Sequence, residues 1–480
     1  MVSDPIVTTT RGAVRGTTSG SVRRFLGIPY AAAPRGIDRF APPAAHQSWS
    51  GVRDAGLPGP TAPQARRGGF AALDMSPFFG PGWVRGEDYL TVNVWAPQQA
   101  QGCPVMVFVH GGGFVSGSTR SPLYDGSAFA RDGVVLVTVN YRLGITGFLD
   151  VPGAARNRGL LDIIAALRWV QDNVEAFGGD PGNVTVFGQS AGATLVAALL
   201  ADPEASGLFR RAIVQSGNGL GAFSPEQAAV VTRAAATALG VEPSAAGFGA
   251  VPDERLVEIM PEFSGLDLQT EREFDPLVGL TPFDVVLERQ PADSDLADVD
   301  LLVGSNSEEG NLYLAPQGDL ATSTSADVRE LATRVHRDPD ALIAAYRAQR
   351  PGAGHGELRS AILGDAMFAA GGRRLADAHG NAHVYEFAWG SSAVDGQLGA
   401  AHSVELPFVF DLLDLPVLRG PQGLLGAGDP PEALAKEMHA AWISFPTTGD
   451  PGWPRLAEGG LLRRFDAVSR TATARDLSMW

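Results

Sequence analysis

Ser190 stands in the run Phe177–Gly192, FGGDPGNVTVFGQSAG, with Gly188 and Gly192 two places to either side. A serine hydroxyl is a weak nucleophile at neutral pH. It needs a base within hydrogen-bond reach, and the base needs an orienting group. The flanking glycines suit a sharp strand-to-helix turn, where a bulkier neighbour would clash and the serine oxygen is pushed out above the sheet. Attack on a carbonyl creates an oxyanion, which calls for preorganised donors. His110-Gly111-Gly112-Gly113-Phe114 offers backbone N–H groups with no side chain in the way, and the amide of Ala191 follows the nucleophile directly. These glycines do not form a phosphate cradle, because no Gly-Lys-Ser/Thr and no Gly-x-Gly-x-x-Gly in a βαβ opening accompanies them.

An acid and then a histidine should follow such a serine in chain order. Glu308 and Glu309 in SNSEEG both come just after a strand-like run. Among the later histidines, the pattern places His336 and His439 on helices, as surface residues, and His355 in a glycine-rich turn. His379 and His383 flank a turn into a strand, and His402 lies in a loop after a strand. Spacing alone leaves the choice of acid and base open.

These residues need a scaffold. Val184–Phe187 reads as a short buried strand, and AGATLVAALLADPEA after the serine as a helix. Val105–Val109 and Val134–Val139 are almost wholly apolar, as strands covered on both faces must be. Tyr89–Trp95, Arg210–Ser216, Leu301–Gly304 and Ala382–Trp389 are further strands. Leu160–Asn173 and the final EALAKEMHAAWISF have helical spacing. This alternation predicts an α/β fold: a large, mostly parallel twisted sheet with helices on both faces. Residues 6–30 suggest a small antiparallel sheet at the amino end, and residues 31–86 are rich in Pro and Gly and irregular. No linker is long or polar enough to divide the 480 residues, so one domain spanning 1–480 is expected. Lid-like helical insertions are expected around 222–275 and 323–380.

The formal net charge of −16 disfavours nucleic acid and anionic membranes as partners. Cys103 is the only cysteine, so no intrachain disulfide can form. No run approaches the roughly 18 apolar residues of a membrane span. The opening MVSDPIVTTTRGAVRG has neither a basic nor an apolar signal region, which makes a cytoplasmic location the expectation.

Phe177–Gly192 resembles the serine-site signature of the type-B carboxylesterases, the cholinesterase-like branch of the α/β hydrolases. EDYLTVNVWAP at 87–97 is similar to that family's second signature. FLGIPYAAAP (25–34), RFAPP (39–43), HGGGF (110–114), NYRLG (140–144) and GDP (449–451) also fit, in the right order along nearly the whole chain. The resemblance implies Ser190 as nucleophile, Glu309 as acid and His402, in GAAHSVELPFVF, as base. It implies Gly112, Gly113 and Ala191 as the oxyanion hole, with no metal or organic cofactor. It also implies structural ion pairs Arg39–Glu87 and Arg142–Asp180. Phe114 and Trp83 are the residues expected to line the substrate gorge. The implied activity is hydrolysis of small, largely apolar esters by a monomer or homodimer. The alternatives are amides, carbamates, lactones or acyl transfer, or a catalytically silent binding protein. Three positions depart from the pattern. Tyr89 stands where many members have Cys, Gln189 replaces the Glu common before the serine, and FDPLVGLTPFDVV (274–286) is shorter and lacks the usual Asp-Gly turn.

Overall fold

The computed structural model describes residues 4–480. Its main sheet has eleven strands: β1 (Thr17–Ser19), β2 (Val22–Pro29), β3 (Thr91–Pro97), β4 (Cys103–Val109), β5 (Val135–Val139), β6 (Gly179–Gln189), β7 (Arg211–Gln215), β8 (Asp300–Asn306), β9 (Ala382–Phe387), β10 (Leu461–Phe465) and β11 (Arg470–Thr473). Their spatial order is β11-β10-β9-β8-β7-β6-β4-β5-β3-β2-β1. The stretch from β5 to β10 is parallel throughout, and antiparallel strands close both edges. The α/β fold expected from the sequence is therefore present.

The central strands β4, β5 and β7 are buried on both sides, which explains the unbroken apolar runs, whereas β10 near the edge is only partly covered. Val105, Val107 and Val109 face one core, together with Val184, Val186 and Val303. Met106 and Phe108 face the other, with Phe187, Ile213 and Leu302. The period of two thus distributes alternate residues between two cores. Helices α1 (Arg158–Asn173) and α2 (Ala191–Leu200) bury their apolar faces in the first core. After α3 (Pro225–Leu239), α4 (Ser325–Val335), α5 (Pro339–Gln349), α6 (His355–Gly364) and α7 (Ala370–His379), helix α8 (Glu432–Thr448) covers the second through Leu434, Met438, Trp442 and Phe445. Truncating one such side chain to alanine costs about 2–5 kcal/mol.

Three local expectations change. The amino-terminal sheet is mixed: Ile6–Thr9 pairs antiparallel with Gly12–Arg15, which pairs parallel with Val52–Asp54. The remainder of 6–30 joins the main sheet as β1 and β2, because Phe25 and Ile28 are fully buried there. The ion pairs are also re-partnered. Arg39 bonds Asp253, while Glu87 pairs with Arg35. Arg142 grips Asp162, the first acid of α1, through Nε (2.8 Å) and Nη2 (2.7 Å) with both partners fully buried. Asp180 instead caps its own turn by accepting from the Gly182 N–H. A buried arginine needs a partner equally shielded from water, which Asp162 is and Asp180 is not. His439, expected at the surface, is buried on α8, with Nδ1 on the Val409 carbonyl at 2.7 Å.

Candidate active site

Strand order reverses at β4, which lies between β5 and β6. Ligands of open parallel sheets bind at such a point, beyond the carboxyl ends of the strands. Here β4 runs into His110-Gly111-Gly112-Gly113 and β6 into Ser190. The two ends are held side by side by the pairing of Val109 with Gly188.

Ser190 occupies the turn between β6 and α2 with φ 58° and ψ −128°, a strained conformation for a residue with a side chain. The crowding explains the glycines. A Cβ on Gly188 would meet the Gly192 carbonyl at 2.5 Å, and one on Gly192 would meet the Val109 carbonyl at 2.1 Å. Helix α2 is buried over all ten residues and points its amino terminus at this turn.

Glu309 lies three residues beyond β8 and is 3% exposed. Its Oε1 accepts from the Ser216 hydroxyl (2.6 Å) and the Asn306 N–H (2.7 Å). Its Oε2 lies 2.7 Å from His402 Nδ1. A carboxylate only accepts, so His402 carries its proton on Nδ1 and its Nε2 is the acceptor nitrogen. Glu308, the other acid left open by the sequence, acts on the backbone. Its N–H donates to the Ala400 carbonyl and its Oε2 accepts from the Ala400 N–H, fixing the loop that brings in His402. The remaining histidines stand elsewhere: His355 begins α6, His379 ends α7, His383 is buried in β9 and His336 follows α4.

The Ser190 hydroxyl makes no hydrogen bond among the described residues. His402 Nε2 instead lies 3.3 Å from the side-chain nitrogen of Gln189, which also donates to Ser403 Oγ at 3.1 Å. Such contacts are often loose before substrate binds. The imidazole face is fixed by Phe368, stacked at 4.3 Å and 12°. Phe368 rides on a π-helical turn, Asp365–Ala369, inserted between α6 and α7.

The N–H groups of Gly112, Gly113 and Ala191 find no acceptor among the described residues, and all three line one cavity with Ser190 and His402. Gly112 must be glycine, because at φ 119° a Cβ would sit 2.0 Å from the Ser116 carbonyl. Thr281 steadies the loop by donating to the Gly113 carbonyl at 2.9 Å. Burial lowers His110, at the head of this loop, to about 4, so it is neutral and packs against Tyr141.

The cavity, mouth included, is about 810 Å³. Its wall is mostly apolar: Phe70, Phe78, Phe79, Phe114, Leu277, Leu280, Leu312 and Met367, with Phe368 at the base. Phe114 lines this cavity. Trp83 lies outside it, under the Arg85 guanidinium at 4.1 Å, and Phe78 and Phe79 line the wall. Sequence reasoning also missed Ser216, Asn306, Glu405, Arg67, Asp284 and Phe368. Glu405 is fully buried, with Oε2 accepting from Asn306 Nδ2 at 2.8 Å and Oε1 unpartnered. Burial, with the charge of Glu309 behind it, raises its carboxyl to about 7. None of these has a local signature, because each matters only through where the fold sets it. Among the described residues no group of three or more His, Cys, Asp or Glu could hold a metal ion, and no helix is long and apolar enough to cross a membrane.

A serine on a strand–turn–helix elbow at the switch point of such a sheet defines an α/β hydrolase. The chain belongs to the carboxylesterase family, whose model matches residues 3–459. It is 36% identical to phenmedipham hydrolase of Pseudarthrobacter oxydans, over 95% of this chain and 92% of that one. It is 34% identical to para-nitrobenzyl esterase of Bacillus subtilis, over 94% and 93%. Among solved structures, carboxylesterase EST55 of Geobacillus stearothermophilus superposes with a TM-score of 0.82 at 34% identity, covering 97% of each chain. The protein is a carboxylesterase.

Proposed function

We propose that the chain hydrolyses small, largely apolar carboxylic esters through Ser190, His402 and Glu309. One observation carries this reading: three acceptor-free backbone N–H groups share a mostly apolar cavity with Ser190 and the His402–Glu309 pair. His402 Nε2 takes the Ser190 proton as the oxygen attacks the ester carbonyl, and the bond to Gln189 gives way. The tetrahedral oxyanion accepts from the amides of Gly112, Gly113 and Ala191, each donor contributing on the order of 10²–10³ in rate. His402 returns the proton to the leaving alcohol. Water, deprotonated by the same nitrogen, then releases the acid from the acyl-enzyme. Glu309 keeps the proton on Nδ1 and stabilises the imidazolium. No step requires a metal or organic cofactor. The segments 222–275 and 323–380 are read as helical insertions on one hydrolase domain, covering the cavity.

The test is hydrolysis of 4-nitrophenyl butyrate with labelling by a fluorophosphonate probe. Wild type should turn over the ester and label, and Ser190→Ala should do neither. Equal rates in the two proteins sink the proposal.

A further inference from the structure

The mostly apolar cavity contains one guanidinium, that of Arg67. Its carbon lies 4.6 Å from the ring centroid of Phe79 and 5.8 Å from that of Phe70. Aromatic contacts occupy the faces of a guanidinium and leave its five N–H donors, all in the plane, unused. Among the described residues only one of them is engaged, by Nη1 to the Ser116 hydroxyl at the long distance of 3.5 Å. Other shielded arginines here are paired: Arg142 with Asp162, Arg211 with Asp300, Arg475 with Asp365. Arg158, which lacks a carboxylate, donates to four carbonyl oxygens. Arg67 has neither kind of partner, although burial already disfavours its charge.

The cavity's one aspartate does not offset that charge. Asp284 is 1% exposed, with Oδ1 on the Val285 N–H (2.7 Å) and Oδ2 unpartnered. Burial pushes its carboxyl well above the usual carboxylate range, which disfavours its charged form, and it makes no ion pair with Arg67 among the described residues.

We propose that Arg67 is a specificity residue that selects esters carrying a carboxylate in one half of the molecule, the anion docking on its free N–H edge. This rests on the esterase reading of the same cavity. A carboxylate can accept two parallel N–H bonds from the fork, whereas a neutral isostere leaves a partly desolvated cation unpaired.

The carboxylate can belong to the acyl half or the alcohol half, and two pairs of substrates separate these. The acyl pair is mono-4-nitrophenyl adipate and its terminal primary amide. The alcohol pair is 4-acetoxybenzoate and 4-acetoxybenzamide. In at least one pair, wild type should favour the anion about tenfold or more in kcat/KM. That ratio should collapse towards one in Arg67→Gln and Arg67→Met and be partly kept in Arg67→Lys. A ratio near one in both pairs for wild type, or an unchanged ratio in Arg67→Gln, overturns the proposal. Should no ester of either charge be turned over, the esterase reading fails, and thermal melting then decides the charge question separately. Adipate and 4-hydroxybenzoate are the probes, and at least one should raise the Tm of wild type more than that of Arg67→Gln. Equal shifts with both overturn the inference.

Discussion

The floor of the cavity and its wall hold their side chains by different means. On the floor, Ser190 follows a strand end directly and Glu309 lies three residues past another, and hydrogen bonds between Glu308 or Asn306 and the 400–401 backbone bring His402 to them. Glu309 and His402 each have two or three neighbours fixing them, and Ser190 is held by the backbone of its turn. The wall is gathered from residues 67–79, 277–284, 312–313 and 367–368, most of them in short or irregular elements, with apolar packing as the main restraint. On the proposed mechanism, rigidity is concentrated on the floor, where charge would develop, and the wall that would meet the substrate is held more loosely. In a carboxylesterase, then, floor variants should act on kcat and wall variants on the choice of ester.

The largest expected effect is Ser190→Ala, which should lower kcat by about 10⁶, as removal of a nucleophile does where base and oxyanion hole remain. Glu309→Gln should cost about 10⁴ in kcat with KM little changed, since an amide holds the wrong tautomer of His402. A loss under tenfold would mean that the floor is less tightly specified than its bonds suggest.

Glu405→Gln probes the ground under the floor. A carboxyl raised on folding keeps a proton that the unfolded chain releases, so wild-type stability should fall as pH rises from 4.5 to about 7. The loss from this one group is at most about 3 kcal/mol. The variant should lack that loss, and urea denaturation at pH 5 and pH 7.5 measures it. Parallel pH profiles in the two proteins would rule it out.

Leu280→Ala belongs to the wall. The side chain is 44% exposed, so stability should hold within about 0.5 kcal/mol. The relative kcat/KM of butyrate and acetate esters should shift by about tenfold or less. Smallest of all, Trp83→Ala should leave kcat/KM on both esters within about twofold. It should lower stability by about 0.5–1 kcal/mol through the lost contact with Arg85. A larger kinetic effect would place Trp83 in the wall after all.

The same division governs what could be read from the chain. The parallel sheet was legible because strands covered on both faces are apolar without interruption, as VMVFV and VVLVTV are. Gly-x-Ser-x-Gly and the triple glycine were legible because the turn geometry forbids a Cβ there. Choosing Glu309 over Glu308 required the family resemblance, since the two are adjacent and only the fold turns one towards His402 and the other towards the Ala400 backbone. The wall was barely legible. Nothing local in the sequence separates Trp83, which lies outside the cavity, from Phe78 and Phe79 a few residues earlier, which enter it. The segment 274–286, noted only as a departure from the family pattern, supplies Leu277, Leu280, Thr281 and Asp284 to that wall. The resemblance pairs Arg142 with Asp180, but sequence carries charge and not depth, and depth decides for Asp162.

On the proposed mechanism, the π-helical turn at 365–369 makes chain length itself a determinant of catalysis. An α-helix advances about 100° per residue, and a π turn holds one residue more than its surroundings need. Deleting a single residue there would restore regular winding and rotate the preceding helix against the following one by that angle. Phe368 would then swing off the imidazole with no side chain altered in kind. The alignment of His402 is in this sense counted out along the backbone, and lineages that gain or lose that one residue would differ in activity while their aligned side chains stayed the same.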